Sequence, residues 1–425
     1  MKQATPSPEL VHRSLDCGVE FAASVLQGRP TVALEIRVLA GASQDPAEQL
    51  GLTRLAEETL DKGTERRSGR ALLDAFDAIG AQRGSSAGRD TTAFTCVVLP
   101  EFLESALGLH AEMLRTPTFP QEACEVAVQL ALQELTALED DPHSLCDKLL
   151  TRQAYGPLLG RHPLGERETL ERIDRDATAA QWRRLYAAGR MLVCVAGPIE
   201  PDRVADQIEQ AFEGFGSPAR LGREPIPIEF RAARSHHTKE LEQQHIGICY
   251  PGVPVDDDEY PVERVLLGVL SGGMSARLFT EVREKQGLVY WVGAWHEHPR
   301  AAGMIHLGAS TTPERCDQTF KTLLREVDRL SDDLTDEEVQ RAIVGIVART
   351  STRGDITRAH CSELVSDLFH RGRPVPMEEK LAKVQAVDVA AIQEYLDRHP
   401  RDALSVLTLG PKELRREDSG RRTQD

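Results

Sequence analysis

The chain has 425 residues, with 51 Lys and Arg against 67 Asp and Glu, for a formal charge of −16 at pH 7. So acidic a balance argues against a general binder of nucleic acid or anionic membrane. A content of 40% hydrophobic and 28% charged residues excludes a disordered or fibrous chain, and the length allows two or three domains, each with its own core.

The first residues, MKQATPSPELVHRSLDCG, contain no apolar stretch of the secretory kind. No run is apolar and long enough for a membrane span. The eight cysteines are scattered without a C-x-x-C pair, which predicts buried free thiols in a reducing compartment. The expected location is cytoplasmic.

In chain order, TVALEIRVLAGAS reads as an extended segment leading into a helix over 51–61. A strand follows at TTAFTCVVLP, then an amphipathic helix at ESALGLHAEML and a second helix starting near Pro120. The half closes on an apolar strand, MLVCVAGP. A Gly-, Pro- and Arg-rich stretch at 217–238 reads as a linker. The order then repeats: HIGICYPGVP, helical YPVERVLLGVL and MSARLFTEVREKQG, strand GMIHLGAST, helix CDQTFKTLLREV, a helix starting near Thr335, and a last strand before Gly410-Pro411.

The two closing Gly-Pro pairs, at Gly197 and Gly410, lie 213 residues apart, and the helix starts at Pro120 and Thr335 lie 215 apart. The chain is therefore read as a duplication. The predicted class is α+β: two homologous sandwich domains, each a mostly antiparallel sheet layered with helices. The expected boundaries are 1–216 and 239–414, with a polar tail at 415–425.

On the 51–61 helix, Leu52, Leu55, Ala56 and Thr59 share one face, and Arg54, Glu57, Glu58 and Asp61 share another. Glu134 falls on the stripe Ala127, Leu130, Ala131, Glu134, Leu138. A carboxylate on such a stripe is expected to be partly buried and to need a partner. Among the histidines, His296 and His298 alternate on a strand, a weak metal pattern set against an exposed polar strand end. His162 and the His236-His237 pair read as surface residues.

The run GLTRLAEETLDKGTERRS, with DAIGAQ and QELTALEDDP further on, resembles the pitrilysin/insulinase family of zinc metallopeptidases, the inverzincins. It is most like the small bacterial members and the subunits of mitochondrial processing peptidase. The resemblance extends from about Leu15 to about Leu414. Active members carry H-x-x-E-H on this helix and a further glutamate downstream. Two imidazoles one turn apart and a carboxylate leave zinc an open position for water, and the inner Glu takes that water's proton.

Aligned on that pattern, Arg54 stands at the first histidine and Glu58 at the second. Glu57 keeps the general-base position, where it is expected to be idle, and Glu134 keeps the third-ligand position. A guanidinium cannot coordinate a cation. The expectation is that Arg54 replaces the metal's charge, paired with Glu57, Glu58 or Glu134, and that this chain binds no metal.

The segment SGGMSARLFTEVREKQGLVYWVGA carries Arg283 and Tyr290, which the resemblance identifies with an Arg and a Tyr that reach the zinc-bound substrate. Both can donate hydrogen bonds to a peptide oxyanion. The plainer alternative pairs Arg283 with Glu281 or Glu284 and packs Tyr290 in the sheet. Gly272-Gly273 before this segment reads as a turn. The resemblance also implies peptide binding as an added strand at Gly84, Ser85 and Ser86, although active relatives commonly have Asn-Ala where Gly84-Ser85 stands.

Together these features imply a non-catalytic subunit of a heterodimeric zinc endopeptidase. It would shape the peptide chamber and supply Arg283 and Tyr290 in trans. The expected partners are a homologous catalytic zinc subunit and a peptide; a homodimer is the other assembly left open. The rival readings are a non-proteolytic scaffold or peptide-binding protein and an active peptidase with an atypical metal site.

Overall fold

The computed structural model describes residues 8–219 and 224–415. Six strands form the first sheet: β1 (Glu9–Ser14), β2 (Glu20–Val25), β3 (Val32–Val38), β4 (Gln82–Ala87), β5 (Thr92–Val98) and β6 (Met191–Gly197). Five form the second: β7 (Arg234–Thr238), β8 (Gln244–Gly252), β9 (Val289–Glu297), β10 (Gly303–Thr311) and β11 (Ser405–Gly410). Their orders are β1-β2-β6-β3-β5-β4 and β7-β11-β8-β10-β9. Without β1, the two sheets correspond strand for strand. Even the single parallel pair of each is shared, β2 with β6 and β7 with β11; the other pairs are antiparallel. The fold is α+β and duplicated, as the sequence repeats predict.

One face of each sheet packs on helices of its own half. Phe21, Val193 and Phe94 meet Phe76, Leu114 and Phe212 in the first half. Ile248, Leu307 and Val406 meet Leu266, Leu323 and Ile392 in the second. The other faces are covered reciprocally. Leu364, Val365 and Leu368 of the Thr357–Arg371 helix, from the second half, pack on Ala22, Leu192 and Cys194 of the first sheet. Leu145, Leu150 and Ala154 of the Pro142–Ala154 helix, from the first half, pack on Cys249, Leu407 and Leu409 of the second. Each half thus lends its neighbour a helix to close the neighbour's sandwich.

The stretch read as linker is corrected at its end. Arg234–Thr238 is strand β7, paired in parallel with β11. Residues 220–223 of that stretch, and 416–425 of the tail, lie outside the described residues. All eight cysteines are free and buried. No helix among the described residues is long and apolar enough to cross a membrane.

Candidate functional site

The helix Leu52–Thr59 begins after Gly51, whose φ of 98° is left-handed and suits glycine. With no side chain at that position, the cap comes from upstream: Asp45 accepts from the Gly51 and Thr53 amides at 2.9 and 3.0 Å. Burial pushes the Asp45 carboxyl up to about 6 against the pull of these bonds. Leu52 and Leu55 pack against Ala127, Ala131 and Leu135 of the Gln121–Asp140 helix. The apolar face is thereby used up, and the charged face is held in a fixed orientation.

On that face the Arg54 guanidinium is the hub. Its Nη1 donates to Glu57 at 2.6 Å and to Glu58 at 2.8 Å, and its Nη2 donates to Glu134 at 3.3 Å. All three carboxylates named as partner candidates are engaged at once. The chain of charges continues from Glu58 to Lys62 at 3.2 Å, from Lys62 to Asp61 at 2.8 Å, and from Asp61 to Arg83 at 3.2 Å. Lys62 and Arg83 are absent from the candidates that the sequence suggests. Lys62 is detectable one turn beyond Glu58, but Arg83 lies on another element.

Burial differs across the cluster. The Glu57 side chain is 3% exposed and that of Glu134 is 48% exposed. This corrects the expectation for Glu134: Ala127, Ala131 and Leu135 face the core, and Glu134 stands at the stripe's outer border. Burial raises the Glu57 carboxyl above the usual carboxylate range, although the Ser85 hydroxyl and Arg54 pull it back. Burial alone would weaken the Arg54 charge, but Glu57, Glu58 and Glu134 outweigh it and its pKa moves up.

The donor set does not fit zinc. Three carboxylates surround a permanent cation, no imidazole is among them, and the guanidinium already takes up oxygens that a metal would need. Among the described residues no group of three or more His, Cys, Asp or Glu is arranged to hold a metal ion.

Beside Glu57 lies the free edge of the first sheet, β4, which carries Gly84, Ser85 and Ser86. A small polar cavity of about 40 Å³ opens there, lined by Glu57, Asp61, Arg83, Ser85 and His110. At Gly84 the nearest obstacle to a side chain would be the Thr95 hydroxyl at 3.5 Å. As the last strand of the sheet, β4 pairs with β5 alone, so among the described residues no strand pairs its outer side, which is left for a backbone partner.

In the second half, Arg283 sits on a short π-helical segment, Leu278–Glu284. Its guanidinium lies 5.0 Å from the centre of the Phe279 ring and makes no ion pair among the described residues. Glu281 pairs instead with Lys285 at 2.7 Å. Tyr290 is 60% exposed at the start of edge strand β9. Its neighbours Val289 and Trp291 lie opposite the consecutive residues Thr311 and Ser310, so Tyr290 is the extra residue of a β-bulge. Bulges re-aim side chains in this way. Neither plainer alternative, an ion pair for Arg283 or sheet packing for Tyr290, is what the structure holds.

His296 and His298 are not an exposed strand end. The His296 side chain is buried 2.5 Å from Glu263 and touches His298. His298 meets the Tyr260 hydroxyl at 2.9 Å, and burial together with His296 and His370 lowers it to about 3. His162 is likewise not a plain surface residue: burial lowers it to about 4, and its Nδ1 accepts from the Leu164 amide at 3.2 Å.

Two family models match the chain: "Insulinase (Peptidase family M16)" over residues 22–165 and "Peptidase M16 inactive domain" over 172–345. A Streptomyces coelicolor protein described as an uncharacterized zinc protease is 27% identical over 94% of this chain and 89% of its own length. One from Rickettsia felis with the same description is 25% identical over 91% and 93%. Among solved structures, a peptidase M16 inactive domain from Pseudomonas fluorescens superposes with a TM-score of 0.87 at 22% identity, covering 96% of this chain and 99% of that one. A protease from Helicobacter pylori gives 0.86 at 14% identity, covering 95% and 99%. At these identities the two structures speak for the fold.

Proposed function

Because this chain belongs to the insulinase (M16) peptidase family, we propose that it is the non-catalytic subunit of a heterodimeric zinc endopeptidase. The observation that carries this reading is the Arg54 hub, which holds Glu57, Glu58 and Glu134 where active relatives hold a metal. A general base with no metal-bound water beside it has nothing to activate, so Glu57 is idle here.

In this reading the zinc belongs to a homologous partner that carries H-x-x-E-H. This chain closes the chamber around the peptide and presents Arg283 and Tyr290 across the subunit boundary. Both are free to act: Arg283 has no carboxylate partner among the described residues, and Tyr290 projects from a bulge. The tyrosine hydroxyl and the guanidinium donate hydrogen bonds to the scissile carbonyl oxygen as negative charge develops on it. Removing one such donor typically costs about a hundredfold or more in turnover. The pair works in the cytoplasm, consistent with eight unpaired thiols.

The test is reconstitution with the homologue. Peptide hydrolysis should require both chains, and Arg283→Ala or Tyr290→Phe in this one should lower kcat. Chelator-sensitive hydrolysis by this chain alone, abolished by Glu57→Gln, would falsify the reading.

A second reading, a peptide-binding scaffold, is favoured by the open β4 edge with its small residues Gly84, Ser85 and Ser86. It predicts peptide binding by this chain alone and no effect of it on a partner's turnover.

A further inference from the structure

We infer that Arg277 is a positioning residue for Arg283 and Tyr290, acting through a clamp on Asp333 and Glu338; the inference rests on the role proposed above for those two side chains. Arg277 immediately precedes the π-helical segment, and its side chain is only 7% exposed. Its Nε and Nη2 donate to the two oxygens of Glu338 at 2.7 and 2.8 Å. Its Nη1 donates to the Asp333 carboxylate at 2.7 Å, and Nη2 also donates to the Asp333 carbonyl at 3.1 Å. One planar fork thus makes four bonds to two residues, which an ammonium cannot reproduce.

Glu338 is fixed in turn. It accepts from the Thr335 amide at 3.1 Å while Thr335 accepts from the Glu338 amide at 3.3 Å, a capping box that opens the Asp336–Arg353 helix. The clamp is therefore anchored to the first turn of a long helix. The net displacement of Glu338 is downward: burial alone would raise it, and the Arg277 and Thr335 bonds overcome that.

The backbone beyond Arg277 is irregular and needs a fixed origin. It is first π-helical, with the Lys285 amide bonded to the Thr280 carbonyl at 2.9 Å. It then turns at Gly287 with φ +57°, and the Gly287 carbonyl accepts from Arg315. Tyr290 emerges from the bulge three residues later. π-Turns and bulges concentrate where a side chain must be aimed. Rotating the segment's start would displace both donors together, and misplacement of about 1 Å can cost about a hundredfold in rate.

The test uses the reconstituted pair and Arg277→Lys, with Glu338→Gln as a second variant if the first folds poorly. The expected result is a kcat about tenfold to a hundredfold lower, with KM and the heterodimer Kd unchanged. In an Arg283→Ala/Tyr290→Phe background the same substitution should cost almost nothing more, because a positioning residue has nothing left to position. Unchanged kcat, or a loss that multiplies fully with that of the background, overturns the inference. If Arg283→Ala/Tyr290→Phe itself leaves turnover unchanged, the proposed trans role fails instead. Hydrogen exchange on the lone chain then decides the clamp separately: Arg277→Lys should speed exchange over 278–290 and spare β8 and β10, and equal exchange in both chains rejects it.

Discussion

Arg54 and Glu134 stand 80 residues apart in sequence, and their side chains meet at 3.3 Å. The contact joins the Leu52–Thr59 helix to the Gln121–Asp140 helix with a cation that belongs to the protein itself. In metal-binding relatives, by the resemblance, the corresponding positions converge on an ion. Here the charge that lets the carboxylates approach one another is the Arg54 guanidinium, which pairs with Glu57, Glu58 and Glu134.

Removing that charge leaves Glu57 buried beside Glu58. Arg54→Ala should destabilise the chain by about 2–3 kcal/mol, below the 3–5 kcal/mol typical of a broken buried pair, because Glu58 and Glu134 reach solvent. Urea unfolding at neutral pH measures this. A change below about 0.5 kcal/mol, the scale of an ordinary surface substitution, would show that the cluster is solvated and not structural.

The reciprocal helices predict that the halves unfold together. Leu364 lies in the second half yet packs on the first sheet. Leu364→Ala should cost about 2–5 kcal/mol and accelerate hydrogen exchange in β2 and β6. Thermal unfolding should remain a single transition. Two separate transitions, with β2 and β6 unaffected, would mean that the exchanged helix is only an attachment.

Acid should destabilise the fold through its buried histidines. His110 is buried, its Nδ1 is 2.7 Å from the Ala106 carbonyl, and burial lowers it from 6.5 to about 4. The unfolded chain therefore binds a proton that the folded chain refuses between those values. Its contribution to stability is fully present above about pH 6.5 and is lost as pH falls towards 4. Between pH 7 and pH 5 the loss is about 2 kcal/mol for this residue. Chemical denaturation at the two pH values should show His110→Leu less pH-sensitive than the parent by that amount. Equal sensitivity would place the proton elsewhere.

Much of the fold is legible in the sequence, and the remainder has a physical reason for being hidden. Apolar periodicity reveals the Leu52–Thr59 helix, and the closing strands with their Gly-Pro stops reveal the duplication. Periodicity says which face of a helix is buried, not against what. Nothing in Leu145, Leu150 or Ala154 therefore announces that they cover the other half's sheet. Strand β7, Arg-Ser-His-His-Thr, is mostly exposed at a sheet edge and carries no alternation to read. His296 reads as exposed because its partner Glu263 lies on another element. The positions of Arg54, Glu57, Glu58 and Glu134 come from spacing and family resemblance, but the three-way pairing requires the fold. The bulge that turns Tyr290 outward depends on its register against Ser310 and Thr311, which no single strand sequence encodes.

The degenerate site should be reversible. Positions 54 and 58 are one helical turn apart and touch through the same guanidinium, Arg54 to Glu58 at 2.8 Å. The Glu134 carboxylate reaches that group from the facing helix. Arg54→His with Glu58→His therefore removes the internal cation and places two imidazoles beside a retained carboxylate, the donor set that zinc takes with an open fourth position. The double variant should bind about one zinc per chain, and Glu134→Gln added to it should weaken binding by about tenfold or more. The parent chain should bind none tightly. Elemental analysis after dialysis and a competition titration with a chromogenic chelator give both numbers. A double variant that stays metal-free while folded would show that the two helices are not in register for a metal site. Tight zinc binding by the parent would show that Arg54 does not exclude the ion.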